Sequence, residues 1–224
     1  MSGLVEWTNN NSGWISFLAI VIPILLSVSV WVVRKLLSRP RLKLEDLKEP
    51  SFCSSFDSLD KAGGAHRTAF LIYLKITNIG RVPVQIGDIH LGYRSADNAD
   101  GESFRWLRKE TPMLEEFRLP MSDSEVKVFP FLKQRNSSTK SEIKTYLHPG
   151  EYVNGLIYFE QAPSKGLDYP YMDPDYRVIT KIRVHDTSNN YWEIEVPVYK
   201  IEIDAIREMN PRFGRTLDYV QEHT

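Results

Sequence analysis

The stretch Trp14 to Val33, WISFLAIVIPILLSVSVWVV, runs for twenty residues without a charged side chain. At about 1.5 Å per residue it reaches roughly 30 Å as a helix, the hydrocarbon thickness of a bilayer. The run is too long and too apolar for a core helix of a small soluble domain. It also lacks the basic n-region and the cleavage site of a secretory signal peptide, because VWVV continues the apolar pattern past Ser27-Val28-Ser29. The reading is an uncleaved transmembrane helix over 14–33, with Trp14 and Trp31 as interfacial aromatics. Pro23 sits mid-span, where membrane helices tolerate proline as a kink. Ser16, Ser27 and Ser29 are small enough for helices to approach closely, which leaves room for oligomerisation, but the span contains no GxxxG.

Charge orients the helix. Residues 1–13 carry Glu6 alone, whereas the juxtamembrane segment 34–43 carries Arg34, Lys35, Arg39, Arg41 and Lys43 and no acid. Lys and Arg flank the cytoplasmic side, so the short N-terminus over 1–13 is expected outside and everything after residue 34 inside the cell. These bases sit where lipid headgroups would be, and the chain from residue 44 onward has five more acids than bases. The bilayer is therefore their expected partner, and nucleic acid is not. A single cysteine, Cys53, permits no intrachain disulfide and suits a reducing compartment. Location in an inner (plasma) membrane follows, single-pass with a cytoplasmic C-terminal domain.

Beyond Pro40 the pattern is that of short strands. Arg41-Leu42-Lys43-Leu44-Glu45 alternates, and Ala69 to Thr77 is β-branched and aromatic. Val82 to Ile86, Asp88 to Tyr93, Glu125 to Leu132 and Val153 to Glu160 read as strands. Tyr176 to His185 and Tyr191 to Val198 flank a turn and read as a hairpin. Residues 50–65 read as a loop with a short extended piece, and 161–175 as irregular. Pro211 and Gly214 break the last stretch, so 201–224 is expected to be a frayed tail with a helical turn. Strands without a convincing amphipathic helix among them imply an all-β domain over 41–200, an Ig-like antiparallel β-sandwich tethered to the transmembrane α-helix.

The segment LKITNIGRVPVQI resembles the passage between two strands in Ig-like bacterial modules. The wording HRTAF, TNIG and YFEQ, at His66 to Phe70, Thr77 to Gly80 and Tyr158 to Gln161, resembles uncharacterised bacterial single-pass inner-membrane proteins with such a domain. The resemblance implies an anchor and a sandwich and brings no activity with it.

Candidate chemistry is sparse. Cys53 and His66 have no signature of a nucleophile and base. The histidines 66, 90, 148, 185 and 223 lack metal-ligand spacing; His90 and His185 lie in predicted strands, where only chance would bring them together. Asp97 to Glu102 fails the spacing of an EF-hand loop. Asp168, Asp173 and Asp175 form a second acidic group. No cofactor is expected, and the chain is not expected to be an enzyme. The best candidate for contact with a protein or small-ligand partner is the aromatic loop with Tyr169, Tyr171, Met172, Asp173 and Tyr176, adjoining Tyr158 and Phe159. The expected function is that of a membrane-anchored cytosolic binding module. The alternative is a ligand-sensing membrane effector, in stress or antiviral defence, that oligomerises through its helix.

Overall fold

The computed structural model describes residues 11–37, 39–48, 50–58, 64–98, 103–113, 115–120, 125–134 and 143–217. Most of the expected extracytoplasmic N-terminus lies outside these residues, as do most of the 133–141 loop and Ala99 to Glu102. Helix α1 (Ser12–Leu37) runs through Pro23 without a break. It is apolar around its whole circumference, with no part of its apolar window buried against the rest of the chain.

Everything after α1 is built around β3. The strands are β1 (Leu42–Asp46), β2 (Phe52–Asp57), β3 (His66–Asn78), β4 (Val84–Tyr93), β5 (Arg105–Leu107), β6 (Phe117–Pro120), β7 (Val126–Phe129), β8 (Tyr146–Leu147), β9 (Tyr152–Glu160), β10 (Arg177–Asp186) and β11 (Tyr191–Lys200). One edge of β3 pairs with β9, from Ala69 opposite Glu160 to Thr77 opposite Tyr152. The other edge takes β2 along its first half and β1 along its second. A short parallel contact, Tyr199 opposite Phe52 and Lys200 opposite Cys53, carries the sheet on to β11. The order then continues through β10 and β4 to β5. The sheet curls, so that β4, β10 and β11 share one buried cluster with β3 and β9. The expected hairpin between Tyr176 and Val198 is the β10–β11 pair.

β3 is buried on both faces. Phe70, Ile72, Leu74 and Ile76 enter the cluster shared with β4, β10 and β11. Ala69 and Leu71 point the other way, into a second cluster with Phe52, Phe117, Phe129 and Phe213. That is why AFLIYL reads as a continuous apolar run rather than an alternating one. β3 and β4 are consecutive but do not pair; the chain crosses from one side of the core to the other through Asn78 to Pro83. Asn78 is fully buried, and its side chain holds this crossing. Nδ2 donates to the carbonyls of Val82 (2.9 Å) and Leu147 (3.0 Å), and Oδ1 accepts from the Gly80 amide at 2.9 Å.

Two segments differ from their sequence reading. Within 50–65, β2 is a central strand. Phe52 and Phe56 face the second cluster and Cys53 faces the first, and the serines between them hide the alternation. The stretch after residue 200 is packed as far as it is described, to residue 217. Helix α2 (Ile203–Met209) sets Ile206 into the second cluster, and Phe213 follows it; both are fully buried. Pro211 and Gly214 do end the helix, but they route the chain rather than release it. Gly214 has φ 73°, and a Cβ there would stand 2.5 Å from the Phe56 ring. Replacing Phe213 by alanine should cost about 3–5 kcal/mol, the range for a buried aromatic, read as a lowered denaturation midpoint; a change under about 1 kcal/mol would mean that this stretch is not part of the core.

A buried ion pair closes the second cluster. Arg67 on β3 bonds the Glu160 carboxylate on β9, with both side chains almost wholly shielded from solvent. The Tyr158 hydroxyl donates to Glu160 Oε2 at 2.8 Å and accepts the Gly214 amide at 3.1 Å. Burial, then the adjacent carboxylate, hold the Tyr158 phenol well above its ordinary pKa. Glu160→Leu alone should cost about 3–5 kcal/mol, because it strands a buried guanidinium. The double replacement Arg67→Met with Glu160→Leu should cost clearly less than the two single changes summed. Additive losses in a denaturation double-mutant cycle would show that the pair is not coupled.

Candidate functional site

Strand registers divide the loops between two ends. Leu42, Asn78, Tyr152 and Val84 begin or finish their strands at the end where the chain arrives from α1. The connections after Asp57, Tyr93 and Glu160 lie at the other end. β3 has thirteen residues, so about 40 Å separates the two ends.

The aromatic loop expected to meet a partner is at the distal end, and it is stapled down. His66 and Ser164 form a bridge, as do Ser95 and Pro170. The buried Tyr93 donates its hydroxyl to the Asp168 carbonyl at 3.1 Å, and burial raises its phenol to about 12. Tyr169 is partly exposed and meets His66 edge-on at 5.7 Å. Tyr171 is similarly exposed, with its amide bonded to the Arg94 carbonyl at 2.9 Å. Tyr176 is the most open, 73% exposed, at a left-handed φ of 59°. These three tyrosines share the loop surface. Met172 instead packs against the first cluster, and Tyr158 and Phe159 are core residues.

Asp173 organises the end of the loop. Its carboxylate accepts the amides of Asp175 (2.9 Å) and Arg177 (2.8 Å), and Arg177 Nε approaches it at 3.2 Å. The Arg177 amide first, and its guanidinium too, hold the Asp173 carboxyl below its usual range. The acidic group seen in the sequence is divided by arginines. Asp168 pairs with Arg105 at 2.5 Å, and Asp173 and Asp175 both pair with Arg177. Among the described residues no cluster of three metal-ligating side chains forms.

His90 and His185 do come together, with ring centroids 4.6 Å apart on the outer face of β4 and β10. Partial burial first, and His185 next, lower the His90 pKa. Beside them Arg183 lies over Trp106 (4.3 Å) and Tyr191 (4.6 Å) and pairs with Glu193 at 2.6 Å. Trp106 covers Gly92, where a Cβ would stand 3.2 Å from three ring atoms. This surface is a cross-strand ladder in which Arg183 pairs with Glu193 and Lys181 with Glu195, while the buried His185 Nε2 has no hydrogen-bond partner among the described residues. Cys53 is buried between sheet partners, and burial pushes its thiol up to about 12, so it is no nucleophile at neutral pH.

Sequence reading missed a cleft of about 520 Å³ between β4 and β9, with charged side chains over an apolar floor. Asp88, Arg108, Glu110, Lys133 and Gln134 are among its lining residues. Lys133 Nζ bonds Glu110 at 2.9 Å and the Gly87 carbonyl at 2.8 Å, while burial raises the Glu110 carboxyl. A second, more apolar hollow of about 670 Å³ lies where β1 gives way to β2, with Phe52, Leu119, Ile201 and Met209 in its wall. Each is assembled from segments far apart in the chain, so no local motif announces it.

No family model matches the chain, and no curated protein matches it. Among solved structures, a Bordetella pertussis protein provisionally named ApaA is 10% identical at a TM-score of 0.30, covering 73% of this chain and 96% of its own. Spo0M, a sporulation control protein from Bacillus subtilis, is 11% identical at 0.29, over 72% of this chain and 49% of its own. A FixG-related protein from Vibrio parahaemolyticus is 11% identical at 0.26, over 72% and 95%. These scores are too low to transfer an arrangement or an activity.

Asp173→Ala removes the acceptor for two loop amides. Hydrogen exchange at Asp175 and Arg177 should accelerate while the β3 amides keep their protection; unchanged exchange at both would show that Asp173 does not hold the loop.

Proposed function

We propose that the chain is a single-pass membrane protein whose Ig-like β domain is a cytosolic binding module. The observation that carries this is α1: an apolar window with none of its residues buried, followed directly by Arg34 and Lys35. In water that surface is untenable; in a bilayer it is satisfied. Lys35 Nζ lies 5.0 Å above the Trp31 ring, an arrangement suited to the interface. The facing halves of the curled sheet, with the crossing at Asn78, support the sandwich reading. The position of Tyr169 and Tyr171 at the end of the domain remote from Leu42 and Asn78 supports recognition by that loop.

The protein should remain in the membrane pellet after alkaline carbonate extraction, and removal of residues 1–33 should release the domain to the soluble fraction. Extraction of the full chain by carbonate would overturn the anchor. Orientation is testable because the buried Cys53 is silent toward thiol reagents until the domain unfolds. In intact cells a membrane-impermeant maleimide should leave Lys165→Cys unlabelled and label it after permeabilisation. Labelling before permeabilisation would place the domain outside.

A further inference from the structure

The end of the β domain nearest α1 has a surface unlike the rest. We infer that this end is itself a docking face for anionic phospholipid headgroups, so that the domain lies against the bilayer rather than swinging from a tether. The inference rests on the membrane anchoring proposed above.

The chain entering the domain is fixed to the turn after β3 at Arg41. The amides of Ile79 and Gly80 both donate to the Arg41 carbonyl, at 2.9 and 3.1 Å. A Cβ on Gly80 would stand 2.7 Å from the Arg41 nitrogen, so the turn and the incoming chain are in close contact. From Leu37 to Arg41 the chain spans at most about 14 Å even fully extended. The turn at Ile79 is therefore held within headgroup reach of the end of α1.

The chemistry of this end matches an interface. Ile79 is 56% exposed at the tip of the turn. Tyr146 and Tyr152 are about half exposed beside it, placed by the pairing of Tyr146 with Gln85 and of Tyr152 with Thr77. Exposed apolar residues one at a time are ordinary; here they share one end with exposed arginines. Arg39, Arg41 and Arg81 make no ion pair among the described residues, and the nearby Glu151 is engaged by Lys144 at 3.1 Å and by the His148 amide at 2.9 Å. The distal end also exposes tyrosines, but its Arg105 and Arg177 are neutralised by Asp97, Asp168, Asp173 and Asp175. Unneutralised arginine beside exposed tyrosine and isoleucine is the pattern that binds an anionic interface.

The test uses the full chain in phosphatidylcholine vesicles with and without phosphatidylglycerol. A fluorophore is placed at Pro149→Cys near the turn or at Lys165→Cys on the distal loop, and quenching by headgroup-labelled lipid is measured. Quenching at position 149 should strengthen with phosphatidylglycerol and weaken with salt, while position 165 stays unquenched. Arg81→Glu should weaken the docked population at least about fivefold, from the effect of one basic residue at an anionic surface, while the chain still floats with the vesicles. Flotation with equal quenching at 149 in both lipids, insensitive to Arg81→Glu, would refute docking and leave the anchor standing. Failure to float would refute the anchor and the docking together.

Discussion

Arg67 and Glu160 lie side by side in the interior, where a charge is tolerable only with its partner in place. Their bond joins β3 to β9, and Tyr158 extends it to Gly214 near the C-terminus. The Glu160 amide also donates to Thr111 Oγ1 at 3.1 Å, which ties in the segment after β5. Four parts of the chain, far apart in sequence, thus converge on one ionised pair. Two of the three stretches that carried the resemblance, HRTAF and YFEQ, contain its two charges. At those positions the wording supplies the buried arginine and the carboxylate that satisfies it.

β3 turns that local demand into an architecture. It is buried on both faces and paired on both edges, so it separates a core facing β4, β10 and β11 from a core facing β6, β7 and α2. The curl closes weakly, at the two parallel pairs between β2 and β11. Beyond them the outer edge of β11 carries Glu193, Glu195 and Pro197, all exposed, which discourage another strand from adding there. The same strand sets the polarity of the domain, with an arginine-bearing end beside α1 and a stapled, tyrosine-bearing end remote from it.

Legibility varied with how local the cause was. The β10–β11 hairpin, the Asn78 to Gly80 turn and the start of β9 were readable because alternation and turn residues act over a few positions. β2 was missed because its two faces serve two cores, so Phe52 and Cys53 both count as inward. The stretch after residue 200 was misjudged because helix breakers were taken as loss of order; Ile206 and Phe213 enter the second cluster, where Phe213 meets the rings of Phe52 on β2 and Tyr158 on β9. Of the loop residues chosen as a contact surface, the tyrosines are at the surface, while Met172 turned inward and Asp173 is occupied by the Arg177 turn. The cleft at Glu110 and Lys133 had no local signal.

The sequence by itself determined the length and apolarity of the span at Trp14 to Val33, the cluster of bases behind it and the strand-rich character of the remainder. These depend on composition and short-range periodicity, which each segment carries alone. Only the tertiary structure decided which charges are paired. Arg67 is buried against Glu160, Arg177 is paired with Asp173, and Arg41 and Arg81 make no ion pair among the described residues. A linear chain makes all of these arginines look alike; their electrostatic roles depend on which carboxylates the folded registers bring within a few ångströms.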